Sequence, residues 1–458
     1  MSNKFIITNV TIVTMDYQRR IIDHGFVLVE DEKIIAVDCM AAAPRDETAN
    51  MIDGQGLIAI PGLIDTHAHA DQSLLRGLGD KLHWMPFLDD VVEPYLVKRA
   101  ASDGVLANTL SMMEMLRAGT TCFVSPNVDP ADDYDGLCDS IDTLGIRAVL
   151  GRFITPTPGE DSKQRADTRV KDATDIMKQW HGTAQGRIHF WYGLMVPRRP
   201  GDTDHPEFYR AVSESAQTEG MGIVYHFCSE FEDAVYIQNT YGVRPAEWSR
   251  NNHALGSHVL LINGCWVTPK EIEILAETGT HLTHSPVANM KMATGILPVP
   301  DVLSAGVNLG LGTDGALNNN SYDMFCEMKT ACLLQNATRR NANALSAESV
   351  LEMATINGAR AIGRAHDLGS LQVGKRADIV LLDMKRPHTY PIHDVVSNLV
   401  FSCNGSNVHT VFVDGKQVLT EGKLLTIDEQ EVLNKAQVRA DEVRRLLDVQ
   451  KPGSWISQ

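Results

Sequence analysis

The chain lacks long hydrophobic runs, paired cysteine motifs and any surplus of basic charge. No stretch of its 458 residues approaches 18 apolar positions, so no segment reads as a membrane span. The opening residues, MSNKFIITNVTIVTMD, alternate like a strand. They have neither the charged n-region nor the apolar h-region of a secretory signal. Eight cysteines, at positions 39, 122, 138, 228, 265, 326, 332 and 403, are scattered without a C-x-x-C. In a chain this long they read as free thiols of a reducing cytoplasm, not as a disulfide frame or a thiolate zinc site. A cytoplasmic protein is therefore expected, and Asn-x-Ser/Thr triplets such as those at Asn9, Asn319 and Asn404 are chance occurrences. Lys and Arg number 41 against 58 Asp and Glu, a formal charge of −17. That balance speaks against nucleic acid or an anionic membrane as a partner. A small-molecule substrate is expected instead.

What is present is an ordinary globular composition, 43% hydrophobic and 22% charged, long enough for one large barrel and an accessory domain. Residues 1–60 read as a small β unit, with short apolar strands at Phe5–Val13, Phe26–Val29 and Lys33–Val37. From 61 to 364 the texture alternates. Strand-like runs occur at Leu63–Ala68, Thr121–Ser125, Arg147–Leu150, Ile188–Trp191, Gly222–His226, Val259–Ile262, His281–His284 and Leu309–Thr313. Amphipathic stretches such as Ala101–Arg117, Pro206–Glu219, Pro269–Glu277 and Asp323–Gln335 lie between them. Eight strands, each followed by a helix, suggest an α/β fold of the (β/α)8 TIM-barrel type. After a helix at Ala347–Ile362, strands return at Ile379–Leu382 and Val408–Val413, with Asp414-Gly415 as a hairpin signal. Residues 365–426 thus complete the first β unit, giving a small β-sandwich from both chain termini. Residues 427–458 read as an outer helix and tail.

Candidate chemistry gathers where the barrel strands end. Thr66-His67-Ala68-His69 follows the first strand; on an extended strand His67 and His69 share a face. His226 ends the fifth, and Asp314 follows the eighth in Leu311-Gly312-Thr313-Asp314-Gly315. Singly, each has a bland reading: a satisfied polar histidine, or a helix cap for Asp314. As a set they lie on the face where barrel enzymes carry their chemistry. Three nitrogens, a carboxylate and an open position suit a catalytic divalent metal, with zinc first and iron, cobalt or manganese as alternatives. Such a metal lowers the pKa of bound water from about 15.7 toward about 7. Asp314 is placed to accept that water's proton.

With these residues the chain resembles the amidohydrolase superfamily, in the branch holding atrazine chlorohydrolase, S-adenosylhomocysteine deaminase and cytosine deaminase. The landmarks are PGLIDTHAHADQSLLRG (61–77), LRAGTTCF (116–123), HSPVANMKMATGILPV (284–299), LGLGTDGALNNNSYDMF (309–325), LEMATINGARAIG (351–363) and GSLQVGKRADIVLLD (369–383). The resemblance implies a barrel with a terminal β-sandwich, one divalent ion, and His67, His69, His226 and Asp314 as its ligands.

Two departures stand out. The family has His-x-x-Glu after strand five, but here Ser229 stands in the Glu position and Glu230 follows it. The family has a His after strand six, and here Asn263 replaces it. Asn263 keeps a hydrogen-bonding amide but cannot shuttle protons. On an extended strand Glu230 would share the face of His226, against the alternative of a solvated loop residue. His284 is a further acid/base candidate. Trp84 and Phe87 read as faces for a flat ring, and Gln72, Ser229, Asn289 and Asn318 as polar contacts to substrate.

Without the usual Glu and His, a C–N bond of an amide- or carbamate-like substrate, or another bond with a good leaving group, is the expected target. The alternatives are an aminohydrolase of a purine, pyrimidine, pterin or triazine, and a catalytically weak metal-holding binding protein. A homo-oligomer is expected. Gly369–Arg376 nearly matches a P-loop, but Arg376 stands where Ser or Thr is required and a strand follows instead of a helix. It reads as a turn.

Overall fold

The structure is a computed structural model that describes residues 3–155, 163–198 and 206–448. Its centre is a parallel sheet of eight strands: Leu63–Asp65, Thr120–Val128, Arg147–Ile154, Ile188–Leu194, Ile223–Phe227, Val259–Asn263, His281–His284 and Leu309–Leu311. They pair in sequence order, each with the next. The eighth strand returns to the first: the Thr66 amide and hydroxyl both donate to the Leu311 carbonyl, at 2.9 and 3.0 Å. This is the nearly closed barrel expected from eight apolar runs separated by amphipathic helices. Helices Ala101–Arg117 and Pro206–Glu219 form where the pattern places them.

One expected helix divides. Ala347–Ile362 is two helices, Ala347–Met353 and Ile356–Ala361. Between them Thr355 leaves helical backbone (φ −132, ψ −95). Apolar periodicity runs through this break, so the pattern alone cannot show it.

The chain ends meet in one nine-stranded sheet. Its seam is the antiparallel pairing of Leu57–Pro61 with Ile379–Asp383, in register from Ile379↔Pro61 to Asp383↔Leu57. Ile7, Val10, Ile12, Val29, Ala59 and Ile379 form its own buried cluster with Leu371 and Phe412. Asp414 and Gly415 turn the hairpin between Val408–Val413 and Lys416–Thr420, both with positive φ (51 and 68), as a tight hairpin turn requires. The near-P-loop segment is indeed a turn: Lys375 Nζ donates to the Ala365 and Leu368 carbonyls at 2.8 and 2.9 Å.

The C-terminal helix Glu429–Leu446 lies against Ala101–Arg117, where Arg439 pairs with Asp103 at 2.5 Å. The tail from 449 onward lies outside the described residues. Among the described residues no helix is long and apolar enough to cross a membrane.

Candidate active site

The first barrel strand does not run on through the histidine pair. It ends at Asp65, and a two-residue strand, Ala68–His69, pairs in parallel with Asp314–Gly315. The extended-strand reading of His67 and His69 is thus corrected. Closure of the barrel takes the backbone of Thr66 and His67 to the eighth strand, and the short bridge then carries His69 beside Asp314. The Asp314 amide donates to the His67 carbonyl at 2.8 Å.

The side chains converge nonetheless. His69 Nε2 and His226 Nε2 are 3.3 Å apart. Asp314 Oδ1 lies 3.2 Å from His67 Nε2 and 3.6 Å from His69 Nε2. One ring nitrogen from each of His67, His69 and His226 falls within 4.8 Å of the others. His67 is fully buried, and neither ring nitrogen has a hydrogen-bond partner. Burial holds the His226 pKa well below its ordinary value, reinforced by His67 and His69. Buried nitrogens without partners, facing one another and a carboxylate, are costly unless a cation joins them. Neutral imidazoles and an ionised carboxylate are the species that ligate a metal, so the donor set fits one divalent ion. Burial works against the charged form of Asp314, yet His67 and His69 together with the Asn318 amide hold its carboxyl well below the usual range.

Sequence reasoning missed what positions these groups. Asp65 is fully buried. It accepts from the amides of His67 and Thr313, both at 3.1 Å, and from the Thr313 hydroxyl at 2.5 Å. It therefore ties the backbone beside one histidine to the backbone beside Asp314. Burial raises its pKa to about 7 against those hydrogen bonds. Behind it, Asn319 donates to the Thr313 carbonyl and to Glu327, at 2.6 and 2.7 Å. Tyr322 donates to the His69 carbonyl at 2.8 Å. The one sequence signal for Asp65 is a carboxylate two residues before the first histidine.

His69, His226 and Asp314 open into a cavity of about 130 Å³. Trp84, Phe87, Leu88, Val92, Tyr95 and Leu96 form an apolar side, and Arg198 lies 5.0 Å over the Trp84 ring. Gln72, Ser229, Glu230, Asn263, Asn289 and Asn318 all line the cavity, as do Asn127 and Asp71, which sequence reasoning did not single out. His284 does not line it. It is buried at the end of the seventh strand, with neither ring nitrogen partnered, and burial pushes its pKa down to about 3.

The two departures from the family pattern touch. The Asn263 amide donates to the Ser229 hydroxyl at 3.0 Å, and the Asn289 amide donates to Asn263 Oδ1 at 3.1 Å. Three neutral side chains thus form one hydrogen-bonded row on the polar wall. Glu230 reaches the cavity by a kink rather than by an extended strand: Cys228 takes a left-handed conformation (φ 46), and Glu230 caps the helix Phe231–Tyr241. Its carboxyl is buried with Oε1 unpartnered. Burial, then Asp233 and Glu232, raises its pKa to about 9. At neutral pH it carries a proton.

A nearly closed parallel barrel with three histidines and a carboxylate gathered at its mouth defines the class, a metal-dependent hydrolase. The amidohydrolase family model matches residues 58–418, so the chain belongs to that family, and it is a hydrolase of C–N bonds. It is 35% identical over 441 residues to a 5'-deoxyadenosine deaminase of Methanosarcina mazei, covering 96% of this chain and 98% of the relative. It is 33% identical over 433 residues to a 5-methylthioadenosine/S-adenosylhomocysteine deaminase of Moorella thermoacetica, covering 94% and 97%. Among solved structures, an adenosine deaminase from Xanthomonas campestris with bound zinc superposes with a TM-score of 0.86 at 28% identity, covering 96% of this chain and 98% of that one. Atrazine chlorohydrolase from Arthrobacter aurescens TC1 shares the fold, with a TM-score of 0.84 at 23% identity over 95% and 100% of the two chains.

Proposed function

We propose that the protein hydrolyses an amide- or carbamate-like C–N bond of a small, cyclic or nitrogen-containing substrate. His67, His69, His226 and Asp314 would hold one zinc ion. When bound, the zinc lowers the pKa of water from about 15.7 toward about 7 and polarises the bond under attack. Asp314, ionised and facing the histidines, takes the water's proton. Trp84 and Phe87 hold a flat substrate face. Glu230 delivers a proton to the leaving nitrogen, a role worth about 10²–10⁴-fold.

The observation that carries this reading is the polar wall. Ser229, Asn263 and Asn289 are locked to one another, and none can exchange a proton near neutral pH. Of the groups this reading assigns to the wall, Glu230 alone is a proton donor. With Asn263 in the place of the family's histidine, this reading favours a nitrogen that leaves readily over the amino group of a purine. The names of the relatives support the second reading, deamination of a nucleoside.

The test is turnover of an anilide and a carbamate beside 5'-deoxyadenosine and S-adenosylhomocysteine, before and after chelation and zinc restoration. Amide or carbamate cleavage that chelation abolishes and zinc restores is the expected result. Deamination as the dominant activity would establish the second reading. An inert panel with ligands still bound would support the metal-holding binding protein. The proposal includes a homo-oligomer in the cytoplasm, for which light scattering of the purified protein tests the assembly.

A further inference from the structure

The other end of the barrel holds a second cavity, about 730 Å³, among the N-terminal ends of its second to sixth strands. Arg147 begins the third strand, Arg187 precedes the fourth, and Arg364 follows the helix Ile356–Ala361; all three line it. His181, His189 and His258 line it as well. Among the described residues no Asp or Glu lines this cavity, in a chain whose net charge is −17.

Each guanidinium spends part of its hydrogen-bonding capacity behind the wall. Arg147 pairs with Asp378 at 2.7 Å and also with Asp414. Arg187 pairs with Asp142, and Arg364 with Asp367 at 2.5 Å. Arg187 also donates to Gln185 at 2.8 Å, but two donors are left unspent. Arg147 Nη1 and Arg187 Nε are buried with no partner, on side chains only 2% and 3% exposed. Buried donors without acceptors are a standing cost that natural proteins seldom leave unmet. Arg364 also donates to His189 at 2.7 Å, and burial followed by Arg364 pushes the His189 pKa down to about 4. His189 is thus a neutral acceptor that orients Arg364.

We propose that this cavity binds the oxyanion of a small molecule, a phosphate or a carboxylate, on Arg147, Arg187 and Arg364. Guanidinium groups match oxyanions geometrically, and a site already built loses little on binding. The site is separate from the metal residues, which sit at the opposite strand ends.

The test titrates inorganic phosphate and succinate into the metal-loaded enzyme at fixed ionic strength, read by calorimetry and by the melting midpoint. A saturable rise with one of them identifies the oxyanion. Arg187→Gln is expected to abolish it. Gln217→Glu, which adds a carboxylate at an exposed position on the cavity rim, keeps the buried network intact and is expected to weaken binding about tenfold. Chelation of the metal is expected to leave binding unchanged. No saturable response to either anion overturns the proposal. So does a response that Gln217→Glu leaves untouched, or one that disappears on chelation, which would put the anion on the metal.

Discussion

The two ends of the barrel solve opposite problems with polar groups. At the mouth, both nitrogens of His67, Glu230 Oε1 and Asn289 Oδ1 are buried without hydrogen-bond partners, beside a cavity of about 130 Å³. Charge there is left to be answered by what binds. At the base the charges are mostly answered within the fold: Arg147 bridges the third barrel strand to Asp378 and Asp414 of the terminal sheet. The mouth trades stability for chemistry, and the base joins barrel to sheet. Substitutions at the mouth should therefore change rate and metal affinity, and substitutions at the base should change stability.

The largest effect is expected from Glu230→Gln. Glutamine keeps the shape but donates no acidic proton, so turnover should fall by about 10²–10⁴-fold with little change in melting. The sign of the pH dependence follows from the raised pKa. The acid form is present below about 9 and lost above it, so wild-type turnover should decline as pH rises through that value. The variant's residual activity should lack that decline. A variant that keeps wild-type turnover would remove Glu230 from the reaction.

Arg147→Ala comes next, and acts at the base. It leaves Asp378 buried without its cation, while Asp414 keeps Arg376 at 2.7 Å, a loss of about 3–5 kcal/mol. Denaturant unfolding measures it. The contrast with the mouth sharpens if the folded fraction of this variant keeps a normal KM, and breaks if KM rises in step with the loss of stability.

Asp65→Asn should be smaller. Asn keeps one acceptor oxygen where Asp65 uses two for three hydrogen bonds, so His67 and Asp314 lose part of their support. Groups that orient metal ligands typically contribute about 10–100-fold in affinity. Competition with a chelator should show a shift of that size at nearly unchanged stability.

These particular residues also show where a sequence is readable. The eight barrel strands and the gathering of His67, His69, His226 and Asp314 at their ends are local signals: apolar runs, and polar residues at fixed offsets from them. The bridge between Ala68–His69 and Asp314–Gly315 is not local. It pairs segments 246 residues apart in register (Ala68↔Asp314), and no periodicity announces it. The left-handed turn at Cys228 that swings Glu230 into the cavity is a backbone event with no glycine to mark it. The row from Ser229 through Asn263 to Asn289 joins a loop, a strand end and the helix Pro286–Met292, so its members look unrelated until the fold brings them together.

That row supplies the smallest and sharpest prediction. If Ser229 and Asn263 were separate relics of a lost acid–base pair, Ser229→Ala and Asn263→Ala would act independently, and the double variant would show the sum of their effects. Their 3.0 Å hydrogen bond argues for coupling, because each removal already frees the other. Residues in direct contact show interaction energies of about 0.5–3 kcal/mol. A neutral, buried pair at a cavity wall, joined by one hydrogen bond, belongs near the low end, about 1 kcal/mol. The cycle is best measured on kcat/KM for the preferred substrate. Ser229→Ala should cost little alone once Asn263 is absent, since the hydroxyl then has no amide to accept from. Strict additivity would mean that the row merely packs the wall. Coupling would mean that the two departures arose as one arrangement, a wall of neutral groups that orients substrate while Glu230 beside it moves the proton.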